Sequence, residues 1–169
     1  MQTESARMSS AAEARFRIDY PNSEPRVVKV VALDHASERV VKQVARRHWQ
    51  RADFFTSLRP DGPAQSQAWS MQAWLSDLAG RTKALVEEVA SADLVVMVAS
   101  AGDAAEAASV IGEACAARKV MTTALIVGSN RVSDEDLSRT LRSVRPYASM
   151  LVIASDDEYI EEMLAALRA

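Results

Sequence analysis

Asp34 and His35 stand directly after an apolar run, and an acid beside an imidazole at such a place is a pair that could move protons or hold a ligand. Further along, Ser57, Asp77, Ser100 and Asp103 also follow apolar runs, so a fold that gathers those run ends would gather all six side chains. Such a cluster suits acid-base work, or the binding of a small ligand or nucleotide, with or without a divalent metal. Gly80, Gly102, Ser129 and Asn130 complete the ligand-binding candidates, because they occupy the turns beside the same ends. The plainer role for Asp34 is to cap the helix that begins just after it. His48, beside Trp49 in an Arg-rich stretch, reads as a solvent-facing residue, and two histidines with one cysteine give no paired spacing for zinc. No Gly-x-Ser-x-Gly elbow accompanies either histidine, so Ser-His-Asp hydrolysis has no support.

The elements that would position these residues are clearest in Ser91–Gly128. Two apolar runs rich in β-branched residues, Leu94–Ala99 and Val120–Val127, flank an alanine-rich stretch with helical spacing. That is the form of a strand, a crossover helix and a parallel strand, with the turn Ser100-Ala101-Gly102-Asp103 at the carboxyl edge. Before it, Arg26–Leu33 reads as a first strand, Ala36–Trp49 as a helix, Asp53–Leu58 as a second strand and Arg59–Gln67 as a breaker-rich loop. Trp69–Leu78 reads as a third, less regular strand and Arg81–Ala92 as a helix. After it come a helix capped by Ser133, a strand at Met150–Ala154 and a closing helix over Asp156–Arg168 capped by Ser155. Apolar strands alternating with helices predict a three-layer, doubly wound, mainly parallel Rossmann-like α/β sandwich of about six strands.

The chain has 169 residues, 20 basic and 23 acidic, and a net charge of -3, which suits one domain and does not suit a nucleic-acid binder. Residues 1–25 read as a mobile tail and 26–169 as the single domain. No apolar run approaches the roughly 20 residues of a membrane span, and the opening residues carry no apolar signal core, so we expect a cytoplasmic protein. Cys115, alone and among alanines, reads as a small buried residue. Trp69 and Trp74 gather near the Arg59–Gln67 loop, where an exposed aromatic patch would serve a protein partner or a homodimer.

In the order and spacing of these elements, the region after Pro25 resembles the nucleotide-binding domain of the FtsZ and tubulin family, bacterial FtsZ especially. The likeness runs through Gly80–Gly102 and includes Ala92-Asp93, which stands where that family has an Ala-Asp pair leading into the central strand. The resemblance implies a GTP-binding fold, yet the glycines that admit nucleotide phosphates are replaced by Asp34-His35-Ala36-Ser37 after the first strand. The GGGTGTG run becomes Ser100-Ala101-Gly102-Asp103-Ala104-Ala105-Glu106. Asp77-Leu78-Ala79-Gly80 has the Asp-x-x-Gly form of P-loop GTPases, but the Gly-x-x-x-x-Gly-Lys-Ser/Thr loop that must accompany it is missing. The expectation is a non-catalytic, FtsZ-like domain that binds a partner or small ligand. The alternative is a small enzyme or nucleotide-binding protein using the carboxyl-edge cluster with a divalent metal.

Overall fold

A computed structural model of the chain describes residues 8–9, 25–58, 74–77 and 82–169. Its strands are β1 (Met8–Ser9), β2 (Val28–Ala32), β3 (Ala52–Thr56), β4 (Trp74–Asp77), β5 (Thr82–Ala84), β6 (Leu94–Ser100), β7 (Met121–Val127) and β8 (Met150–Ala154). They lie side by side in the order β1-β8-β7-β6-β2-β3-β4-β5. From β8 to β3 the sheet is parallel throughout, and β6 sits at its centre beside β2, with Val30 opposite Val96. The short β1 adds in parallel outside β8, while β4 and β5 extend the other side as antiparallel strands.

The helices are α1 (His35–Val44), α2 (Leu85–Ala90), α3 (Ala107–Arg118), α4 (Asp134–Val144) and α5 (Tyr159–Ala166). Helices cover both faces of the central parallel strands, which is why β2, β6, β7 and β8 are mostly apolar, with Lys29, Thr122 and Thr123 as buried polar exceptions. Val31, Val95, Met97, Ala124 and Ile126 point to the layer of α2, α3 and α4, while Val30, Val96, Val98, Leu125 and Val127 point to α1 and α5. The three-layer Rossmann-like sandwich expected from the sequence is therefore the fold.

Several boundaries differ from expectation for local reasons. Helix α1 stops at Val44 instead of reaching Trp49, because the Trp49 side chain folds back and donates its indole N–H to the Val44 carbonyl at 2.9 Å. The stretch expected to be helical from Arg81 opens as β5, paired with β4, and turns helical only at Leu85. The last helix begins at Tyr159, whose amide is taken by the Asp156 carboxylate at 3.2 Å; Ser155 is not its cap. Met8–Ser9, within the segment expected to be a tail, pairs with Ile153 and Ala154. The rest of that segment through residue 24 and the Arg59–Gln67 loop lie outside the described residues. Among the described residues no helix is long and apolar enough to cross a membrane.

Candidate functional site

The chain leaves β2 through α1 toward β3 on one side, and leaves β6 through α3 toward β7 on the other. Two neighbouring strands whose connections depart in opposite directions, over opposite faces, leave a crevice at their carboxyl ends. The candidate residues fall around it, in quite different states.

Asp34 is buried and caps α1: one carboxylate oxygen accepts the Ser37 amide at 2.7 Å, and the Ser37 hydroxyl accepts the Asp34 amide at 3.1 Å. Its other oxygen accepts the Ser100 amide at 2.8 Å, tying the end of β2 to the end of β6. Ser57 is equally committed, since its amide and its hydroxyl both donate to the Ala32 carbonyl at 3.0 Å. The Ser129 hydroxyl donates to the Ala154 carbonyl at 3.2 Å and joins the ends of β7 and β8, while the neighbouring Asn130 is exposed on a short 3-10 turn. His35 projects into solvent with its side chain 88% exposed, 3.7 Å from Glu38 of its own helix. The expected six-residue cluster is thus reduced to Asp34, Ser100 and Asp103.

Asp77 is three strands away from β6, opposite Phe55 on β4, and its side chain, like that of Trp74, lies outside the described residues. Gly80 and Trp69 lie outside them entirely.

The turn after β6 is fastened from α4, by a residue that was not among the sequence candidates. Gly102, at φ +90°, donates its amide to the Thr140 hydroxyl of α4 at 2.9 Å, and that hydroxyl donates to the Asp103 carbonyl at 3.1 Å. Asp103 itself is exposed at the crevice, and its carboxyl is raised above the usual value of 3.8 by partial burial and then by the charge of Asp34, against the opposing pull of Arg39 and His35.

The crevice encloses about 400 Å³, within the usual range for a small-molecule site. Ala36, Arg39, Val40 and Gln43 form one wall, a single helical face at i, i+3, i+4 and i+7. Ser100, Ala101, Asp103, Val127, Gly128 and Val132 form the floor and the facing wall. Arg131, held 3.4 Å from Asp157, closes one end. Arg39, Arg131 and Asp157 were not among the sequence candidates. The face of α1 could have yielded Arg39, because it shares the stripe of Ala36 and Val40; Arg131 and Asp157 come together only through the folding of β7 beside β8.

Among the described residues no three His, Cys, Asp or Glu side chains converge closely enough to hold a metal ion. Cys115 is buried in α3, and burial pushes its thiol up to about 12, so it is not a nucleophile near neutral pH.

No family model matches the chain, and no curated protein matches it. Among solved structures it is similar to translation elongation factor SelB from Methanococcus maripaludis in its apo form, at 13% identity and a TM-score of 0.39. That match takes in 84% of this chain, which spans 36% of the length of the other.

Proposed function

We propose that the chain is a non-catalytic, FtsZ-like binding domain without GTPase apparatus, whose crevice between α1 and the ends of β6 and β7 takes a small ligand. One observation carries the reading: five of the amides nearest the strand ends, where a phosphate would sit, are already spent. Ser37 gives its amide to Asp34, Ser100 to Asp34, Ala101 to the Val127 carbonyl, Gly102 to Thr140 and Asp103 to the Ser100 carbonyl. A glycine-rich phosphate loop works by pointing free amides at the ligand, and these five are turned inward to protein acceptors. The Asp103 carboxylate would add repulsion toward a polyphosphate.

The same bonds favour binding over catalysis. Asp34 and Ser57, the best placed acid and hydroxyl, face backbone partners and not the crevice, so neither serves there as base or nucleophile. The rival reading, an enzyme using the Asp/His/Ser cluster with a divalent metal, requires His35 to turn inward from its exposed position.

Calorimetric titration with GTP and GDP, with and without magnesium, tests the loss of nucleotide function. The expected result is no affinity tighter than about 1 mM. Micromolar, magnesium-dependent binding with phosphate release would replace this reading with the rival. The binding role is tested by amide chemical shifts under a panel of small metabolites, which should move resonances of residues 100–103 and 128–131 together.

A further inference from the structure

The crevice carries two charges that no other described residue pairs with. Among the described residues, ion pairs join Lys29 to Asp53 and Glu88, Lys42 and His35 to Glu38, Arg47 to Glu161, Arg131 to Asp157 and Arg139 to Asp136. Arg39 and Asp103 border the same cavity, one from α1 and one from the turn after β6, and among the described residues neither has an ion pair or a side-chain hydrogen bond. They are farther apart than the 4.0 Å of an ion pair, yet near enough for Arg39 to oppose the rise in the Asp103 pKa. A cation and an anion that share a cavity without meeting leave a gap for a molecule with an acceptor at one end and a donor at the other.

Resting on the small-ligand reading above, we propose that the crevice binds a small zwitterion of the α-amino-acid type, its carboxylate on Arg39, its ammonium on Asp103 and its side chain against the aliphatic wall of Val40, Val127 and Val132. Three features favour this class. The planar guanidinium suits a carboxylate, which it can hold with two parallel hydrogen bonds. The four charged side chains of the lining, Arg39, Arg131, Asp103 and Asp157, balance, so the crevice has no net charge to favour a polyanion and suits a ligand that is itself neutral overall. The described apolar lining residues are small and aliphatic, and among them is no aromatic face on which a base would stack.

The test is calorimetry and amide chemical-shift titration of the whole chain with the free α-amino acids, and then with the N-acetyl and carboxamide derivatives of whichever binds best. At least one amino acid should bind saturably and shift residues 100–103 and the Arg39 region. Arg39→Gln and Asp103→Asn, both exposed and checked for unchanged circular dichroism, should each weaken it by about tenfold. The N-acetyl derivative should bind weakly and be indifferent to Asp103→Asn; the carboxamide should be indifferent to Arg39→Gln. If no amino acid binds but a carboxylate or phosphate ester without an amine shifts the same resonances, the zwitterion is wrong and the small-ligand crevice stands. If neither class shifts them, both readings fall. Binding that ignores both substitutions would also overturn the assignment.

Discussion

Asp34 accepts the backbone amide of Ser100 at 2.8 Å across 66 residues of sequence, with the same carboxylate that caps α1. One side chain thereby fixes both walls of the crevice: the start of α1, which carries Arg39, and the end of β6, which leads to Asp103. A cap alone is worth about 1 kcal/mol, and a buried hydrogen bond to a charged group about 1.5–3 kcal/mol. Asp34→Ala should therefore cost about 2–4 kcal/mol in urea unfolding. Asp34→Ser, which keeps a capping oxygen but cannot reach both amides, should recover about 1 kcal/mol of that loss. Equal stability of the wild type and the alanine variant would remove Asp34 from this role and reopen a chemical one.

Helix α3 lies against the 3-10 turn at Arg145–Tyr147 through Gly112, where an added methyl carbon would meet the Tyr147 Cβ at 2.5 Å and its carbonyl oxygen at 2.8 Å. In an exposed helix, Gly→Ala stabilises by about 1 kcal/mol. Here the obstacle is partly backbone and cannot rotate away, so overpacking of about 1–3 kcal/mol opposes that gain. Gly112→Ala should lower the unfolding midpoint, and a rise would mean that α3 and Tyr147 separate easily.

Much of this architecture is written in the chain. The central parallel strands are mostly apolar, not alternating, because helices cover both faces, and Leu94–Ala99 beside Val27–Leu33 follows from that burial. The turns were legible as places but not as bonds. Nothing in the local sequence says that Asp34 reaches Ser100, that Thr140 holds Gly102, or that Ser57 returns to Ala32, since each partner is brought up by a different strand or helix. Residue type marked Asp34, His35 and Ser57 as candidates, and only the fold shows that Asp34 and Ser57 take backbone partners while His35 is exposed. Arg39 was overlooked because an arginine on an amphipathic helix looks like any solvated residue until the opposite wall is in place.

Lys29 is the charged residue most deeply set in the parallel sheet; its ammonium is held by Asp53 at 2.5 Å and Glu88 at 3.0 Å and lies 5.8 Å from the centre of the Phe55 ring. Burial pulls its pKa down, but the hydrogen bonds to the two carboxylates and their charges outweigh that and hold it above 10.5. The triad's contribution should be complete below pH 10.5 and fall away as pH rises through the folded-state value. Glu88→Ala leaves the buried cation with only the more exposed Asp53 and should cost about 1–3 kcal/mol. Lys29→Met, which removes the charge and keeps the length, should cost less than the Glu88 substitution. The reverse order in denaturant unfolding at pH 7 would show that the ammonium, and not its burial, supplies the stability.

Asp103 gives a pH test of the crevice in the ligand-free protein. Its carboxyl is raised above 3.8, chiefly by burial and secondarily by Asp34, so the folded chain holds that proton more tightly than the unfolded chain does. Stability linked to this group is then lost as pH rises from 3.8 through the folded-state value, and it stays lost at neutral pH. Asp103→Asn, which cannot ionise, should unfold at a higher urea concentration than the wild type at pH 7, and the difference should shrink as pH is lowered toward 3.8. Arg39→Gln removes a charge that opposes the rise, so it should move the wild-type pH profile upward, and Asp103→Asn should abolish that movement. An Asp103→Asn difference that is independent of pH, or an Arg39→Gln profile that does not move, would mean that the two side chains do not share one electrostatic field, and the pairing of charges on which ligand selection rests would be lost.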